Sequence, residues 1–413
     1  MTRVLDRRRF LQGGLTLGCS AAALPLLGHA TFASAPFDHR LVVVILRGAM
    51  DGLDVVRPAG DPLLRRYRPG LAATDGPALN GFWHLHPDLA GLMPLWQAGE
   101  LGAVHAVSTP YRDKRSHFDG QDLLEAGTAM DTPAGLFRDG WLNRLLQGVP
   151  GAVAETAFAI GREAMPVLLG PAPAQRWAPD VDMRFSPQAR RLLEQLYESD
   201  MPFHVAAETA LDLTESLDDD AEDSGLQMGD DGSLMMAPPA PLPVGPVKPS
   251  AEISVFARFA AERLRGDTRI VTLSLNGWDT HAKQDGNIRK PLVNLQQMIL
   301  ELKAGLGPVW GQTAFIAMTE FGRTVRQNGT QGTDHGTGGA MITAGGAIRG
   351  GKVLGQWPGL AEPDLYAGRD LMPTSDVRAV AAWVMHGLMG VDKRRLETTV
   401  FPGLQMGGNP GII

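Results

Sequence analysis

Five short segments, most of them flanked by glycine, combine carboxylates, imidazoles and guanidinium groups. They are Arg47-Gly48-Ala49-Met50-Asp51-Gly52, Lys114-Arg115-Ser116-His117-Phe118-Asp119, Asn276-Gly277-Trp278-Asp279-Thr280-His281, Glu320-Phe321-Gly322-Arg323-Thr324 and Gly332-Thr333-Asp334-His335-Gly336. Carboxylates brought to one place repel one another unless a cation sits among them. Oxygen and imidazole donors without a thiolate suit zinc, manganese, magnesium, calcium or iron, and the histidines tilt the choice toward a transition metal. Asp279 and His281, two apart in extended chain, can face one ion together. Asp334 and His335 are adjacent, so both ligate only if the backbone turns between them, and His335 is the better candidate. The expected ligands are Asp51, Asp279, His281, Glu320 and His335, with Asp334 and His117 in support.

Lys114-Arg115-Ser116 precedes a helical-looking stretch from Asp119 to Ala126. Basic side chains and the free amides of a helix start form an anion pocket. Ser116 is the candidate nucleophile there; the competing reading is a plain helix N-cap. Arg115 is the candidate partner for a developing oxyanion, and Lys114 and Arg323 are candidate substrate anchors; either arginine can equally be a surface ion-pair partner. His84, His86, His105 and His386 sit at a helix entrance, in a strand and in an apolar helix, where packing explains them better than ligation.

The elements that must position these groups are apolar runs. Leu41–Leu46, Leu101–Val107, Arg269–Leu275 and Thr313–Met318 are continuous and rich in β-branched residues, as buried parallel strands are, and Ala340–Thr343 is a weaker fifth. Helical periodicity fills the gaps at Asp88–Gln97, after Ser186, and at Val255–Leu264, Leu292–Leu306 and Val377–Leu388. This alternation predicts a doubly wound, mostly parallel α/β sheet with helices on both faces. In such a sheet, ligands bind beyond the carboxyl ends of the strands, which is where four of the five polar segments fall.

The first 35 residues have the pattern of an export signal. Arg7-Arg8-Arg9-Phe10-Leu11 is a twin-arginine motif, Leu15–Leu27 is its apolar stretch, and cleavage is expected after Ala33. The expected mature chain is one domain from residue 36 to residue 413, periplasmic or secreted, carried across the membrane already folded. It lacks an apolar run long enough to span a bilayer. The single cysteine, Cys19, lies in the signal, so disulfides, thiolate ligands and cysteine nucleophiles are excluded from the rest. A formal net charge of -7 gives no footing for nucleic acid. From about 215 to 250, the acidic run at 218–223 and a Gly-, Met- and Pro-rich stretch predict a flexible surface insertion.

The five polar segments, in this order, together with Val400-Phe401-Pro402-Gly403 near the end, resemble a twin-arginine-exported bacterial family grouped with the alkaline phosphatase and sulfatase superfamily. The resemblance spans the expected mature chain and implies an alkaline phosphatase-like fold with one or two divalent ions. It implies an early metal-binding Asp at Asp51, a nucleophile at Ser116, an Asp/His pair at Asp279 and His281, and a final ligand at His335. Two departures stand out. Glu320-Phe321 replaces the usual strand-end Asp-His, and Ala49 and Met50 occupy positions commonly held by Gly and Asn. Without a modifiable cysteine, a formylglycine sulfatase is excluded. The expected activity is hydrolysis of a small anionic ester. The alternatives are a non-catalytic domain that binds another exported protein, and a redox metalloenzyme.

Overall fold

The computed structural model describes residues 37–72, 76–130, 132, 139–179, 226–228, 234–236 and 247–413. The signal segment and the helix anticipated after Ser186 lie outside them. Among the described residues, nine strands form the main sheet: β1 (Arg40–Leu46), β2 (Leu101–Ser108), β3 (Ala157–Ile160), β4 (Gln175–Trp177), β5 (Ile270–Leu275), β6 (Thr313–Met318), β7 (Gly339–Ala344), β8 (Val353–Leu354) and β9 (Ser375–Asp376). Their order is β8-β2-β7-β6-β1-β5-β3-β4, with β9 paired to β2. The four strong apolar runs are all strands. The fifth, β7, is a strand too, but it runs antiparallel to both β6 and β2, whereas the other pairings in the sheet are parallel. Its reversed direction brings the start of β7 to the edge where its parallel neighbours end, so the segment carrying His335 joins the segments that follow β1, β5 and β6.

Alternation along β1 divides the core. Val42, Val44 and Leu46 pack with α4 (Ala251–Arg265) and α5 (Arg289–Leu306), while Leu41, Val43 and Ile45 pack with α3 (Trp141–Leu146) and α6 (Val377–Met389). Both faces are therefore covered by helices, as a buried, continuously apolar strand requires. In α5, Leu292, Leu295, Met298, Ile299, Leu302 and Leu306 are buried at helical spacing, each such side chain contributing about 1.5–3 kcal/mol. Asp376 caps α6 by accepting from the Arg378 amide, and Gly390 ends it in the left-handed conformation. The helix expected over 88–97 is two pieces, a 3₁₀ turn at Pro87–Leu92 and a short α-helix at Met93–Gln97. Pro87 and Pro94 each stand at the start of a piece, where a missing amide donor costs nothing.

Within the expected insertion, Leu226–Met228 and Leu234–Met236 pair as an antiparallel ribbon. Among the described residues, no helix is long and apolar enough to cross a membrane.

Candidate metal centre

Beyond β5 the chain turns at Gly277 (φ 93) and again where the Thr280 amide donates to the Trp278 carbonyl at 3.0 Å, and Asp279 and His281 face each other across it: His281 Nε2 lies 3.0 Å from Asp279 Oδ1. Gly48, after β1, has φ +113, and a Cβ there would come within 2.6 Å of the Asp279 amide nitrogen. Only glycine permits that approach of the two strand ends. Gly332 plays the same part opposite: its Cβ would meet the His281 carbonyl at 2.3 Å. Here the segment before β7 turns against the segment after β5, and it delivers His335 Nε2 to within 2.9 Å of His281 Nε2 and 3.3 Å of Asp279 Oδ1. His117, the first residue of α2 (His117–Ala126), approaches from the side of β2 and places Nε2 3.3 Å from Asp279 Oδ2.

Each of these imidazoles has its other nitrogen engaged. His117 Nδ1 donates to Glu320 Oε1 at 2.7 Å, and His335 Nδ1 to the Arg115 carbonyl at 2.8 Å. His281 Nδ1 faces Asp334 Oδ1 at 3.4 Å. The Glu320 carboxylate and the Arg115 carbonyl only accept, so these contacts put the ring protons of His117 and His335 on Nδ1 and direct their Nε2 lone pairs at Asp279. Three Nε2 atoms and a carboxylate thus crowd together, with the His117 and His335 nitrogens facing it as acceptors. Ligands of a tetrahedral ion at about 2.0–2.1 Å stand about 3.3 Å apart; the Nε2 atoms of His117 and His335 each lie 3.3 Å from an Asp279 oxygen, and His117, Asp279 and His335 offer donor atoms all within 4.8 Å of one another. His117 Nε2 is also buried without a hydrogen-bond partner. The donor set therefore fits a divalent cation, and its share of imidazole favours a transition metal over calcium or magnesium.

The surrounding charges are tuned to the same end. The hydrogen bond that His117 donates to Glu320 holds the His117 pKa above its ordinary value, increasing the attraction of Nε2 for a proton or a cation. Burial works against ionisation of Asp279, but Arg323 beside it, with His281 and His117, keeps its carboxyl below the usual range. Glu320 is likewise held low despite burial, through bonds from His117, Gln121 and Thr319. Burial lowers the His335 pKa, which keeps that ring neutral and its Nε2 open.

Several expectations change. Asp51 is not in the cluster. It caps the short helix α1 (Gly52–Val55) by accepting from the Leu53 amide, and its other oxygen takes Arg68 Nη1 at 2.6 Å and Gln284 Nε2 at 2.6 Å. With three bonds accepted across its two oxygens and 1 % exposure, it is turned into the framework and away from the converging donors. Glu320 stands one step back, spending Oε1 on His117, Gln121 and the Gly48 amide. That is the position of a carboxylate that orients a ligating histidine. Asp334, whose Oδ1 also accepts from Asn328, is placed in the same supporting way behind His281. His117, expected in support, stands among the converging donors instead.

Arg323 is buried rather than available to a substrate. Its guanidinium reaches Asp279 Oδ1 at 2.5 Å and the carbonyls of Gly48, Ala49, Trp278 and Thr333, clamping together the segments that carry the cluster. Ser116 is the N-cap of α2, its Oγ accepting from the Asp119 amide at 3.3 Å. Lys114 and Arg115 are exposed and line a cleft beside Gly336 with Arg112 and Arg369. His86 caps the 3₁₀ turn, His105 bonds backbone carbonyls within the core, and His386 bonds the Val391 carbonyl, all structural roles.

Fold and site together define an α/β domain with a histidine-rich candidate metal centre at the carboxyl edge of its parallel strands. The chain belongs to the family described as protein of unknown function (DUF1501), whose pattern matches residues 95–400. No curated protein matches it. Three solved structures are similar to it over most of its length. A protein of the alkaline phosphatase superfamily from Vibrio parahaemolyticus shares 13% identity, with 85% of this chain and 71% of that one covered and a TM-score of 0.35. The lipoteichoic acid synthase LtaP from Listeria monocytogenes shares 8%, covering 91% and 78%, with a TM-score of 0.37. The alkaline phosphatase of the Antarctic bacterium TAB5 shares 10%, covering 76% and 92%, with a TM-score of 0.30. Overlap at these scores is loose, and the α/β class stands on the sheet and its two helical layers themselves.

Proposed function

We propose that this chain is an exported, metal-dependent hydrolase of a phosphate or related anionic ester. The observation that supports this reading most is the convergence of three imidazole Nε2 atoms on Asp279, each ring held from behind through Nδ1. His117, Asp279, His281 and His335 would hold one divalent ion, with zinc, manganese or iron favoured by the imidazoles. When bound, that ion supplies positive charge that lowers the pKa of a nearby hydroxyl and stabilises negative charge on a phosphoryl group. Ser116 would contribute the attacking hydroxyl from the start of α2, where the amides of the first helical turn favour an anion. The exposed cations of Arg115 and Lys114 would hold the ester's charge, and Glu320 would keep the His117 ring in its productive tautomer. Export through the twin-arginine motif suits a protein that acquires its ion before crossing the membrane.

Elemental analysis of protein purified from the periplasm should find about one transition-metal ion per chain. Chelation should remove it together with turnover of an aryl phosphate, and re-addition should restore both. Protein with no metal, and no affinity for added zinc, manganese or iron, overturns the reading. Metal without turnover of any phosphate or sulfate ester would favour the second reading, a domain that binds another exported protein. The hydrogen bond that Ser116 Oγ accepts in its capping role gives that reading its support. Bound iron with redox activity would favour an oxidoreductase.

A further inference from the structure

Beneath the candidate centre lies a buried amide that no motif announces. Gln284 is 0 % exposed, three residues beyond His281. Its Nε2 donates to Asp51 Oδ2 at 2.6 Å and to Asp54 Oδ2 at 2.9 Å. Its Oε1 accepts from Thr280 Oγ1 at 3.0 Å and from Thr333 Oγ1 at 2.7 Å. All four hydrogen-bonding positions of the amide are therefore used. Two carboxylates on one side and two hydroxyls on the other permit only this orientation of the amide.

The two threonines give the arrangement its meaning. Thr280 lies between Asp279 and His281, and its buried side chain points into the protein, where its hydroxyl meets Gln284. Thr333 precedes Asp334 and His335, and its amide donates to the Thr280 carbonyl at 3.2 Å. One amide oxygen thus ties together, from below, the two segments whose other faces carry three of the four converging donors. Asp51 and Asp54 are themselves fixed by Arg68 and Arg57, at 2.6 Å each. Arg68 in turn donates to the carbonyls of Thr324 and Val325, and the Thr324 amide donates to the Asp334 carbonyl. Apart from Asp334 at its end, every residue in this chain is buried, so little water competes for its bonds.

We propose that Gln284 is the positioning residue of the metal centre. It sets the spacing between the Asp279–His281 and Asp334–His335 segments, and Asp51 acts on the centre through it rather than as a ligand. This inference rests on the metal reading above. Gln284→Met keeps the volume and removes all four bonds; Gln284→Glu keeps the shape and sets a third carboxylate against Asp51 and Asp54. Thr280→Val and Thr333→Val each remove one tie and disturb packing least.

Titration calorimetry with zinc on metal-stripped protein is the test, read beside the thermal midpoint of the same metal-free protein. Gln284→Met and Gln284→Glu should each weaken zinc binding on the order of 10- to 100-fold, and the threonine variants several-fold. Asn143→Leu serves as control: Asn143 is also fully buried, but its bonds go to Gln147, Leu168 and Ala172, away from these segments. It should lower the metal-free midpoint while leaving zinc affinity within about twofold, against the larger losses expected for the ties. Wild-type affinity in the threonine variants, and in whichever Gln284 variant folds, overturns the inference. Equal loss of affinity in Asn143→Leu at matched midpoint also overturns it, since a general loosening would then suffice. Absence of zinc binding by the wild type would instead sink the metal reading itself.

Discussion

The cluster around Asp279 and the cluster around Asp51 lie on segments of the same sheet edge, joined by Gln284, yet they are built in opposite ways. Asp279 and His281 are 44% and 45% exposed at their side chains, and their neighbours leave Nε2 lone pairs facing a carboxylate. Asp51 and Gln284 are 1% and 0% exposed, and each of their polar atoms has a donor or acceptor in place. Buried polar groups must be satisfied, because water is not there to do it. A site meant for a ligand must do the reverse and keep valences open at an accessible surface. Completeness of hydrogen bonding, more than residue type, therefore separates the framework from the candidate centre.

The sharpest way to break this comparison is Asp279→Ala. It should reduce zinc affinity on the order of a thousandfold, about 4 kcal/mol, while metal-free stability falls less than in Asp51→Ala, because Arg323 keeps the carbonyls of Gly48, Ala49, Trp278 and Thr333 when the half-exposed Asp279 carboxylate is lost. A large loss of metal-free stability by urea titration would place Asp279 in the framework instead. Asp51→Ala should behave inversely. It leaves Arg68 charged, buried and unpaired, a change worth about 3–5 kcal/mol of folding stability, visible as a fall in the urea midpoint with zinc absent. Should Asp51→Ala keep its stability and lose only metal, the separation of the two clusters fails.

A pH experiment sharpens the framework side. Burial lowers the pKa of His105 to about 4 from the ordinary 6.5, and Nε2 bonds the carbonyls of Gly52 and Val56. Between those two values the unfolded chain binds a proton that the folded one refuses, so stability is full above pH 6.5 and falls as the pH drops toward 4. The total is about 3 kcal/mol. His105→Gln should flatten that part of the stability profile between pH 7 and pH 4.5; an unchanged slope would remove His105 as its source. The smallest expected stability effect is at the border of the two regions. Ser116→Ala should cost only about 1 kcal/mol as a lost N-cap, and if Ser116 is the nucleophile, it should also abolish ester turnover with zinc binding intact.

Much of this was legible in the sequence. Continuous β-branched runs can be stable only with both faces covered, so the central strands and the class of fold follow from local composition. The glycine-flanked acids and imidazoles after those strands had to meet at one edge. The spacing of Asp279 and His281 suggested that they would face one ion together, and they do meet, through a turn in which the Thr280 amide donates to the Trp278 carbonyl. The antiparallel direction of β7 was not legible, since a short apolar run carries no sign of its direction. Nor was the break at Met93 in the helix expected over 88–97, where Pro94 begins a new turn inside an unbroken apolar stripe.

The sequence by itself determined which residue types reach the candidate centre and that no thiolate is among them. Which carboxylates keep a free oxygen was decided only by tertiary structure. Asp51 and Glu320 look as eligible as Asp279 along the chain, but Asp51 meets Arg68 and Gln284, and Glu320 meets an imidazole 203 residues away. His335 gains its tautomer from a carbonyl 220 residues distant. The physical reason is that a local sequence sets the direction of a side chain, whereas its protonation and its spare valences depend on partners brought from elsewhere by packing.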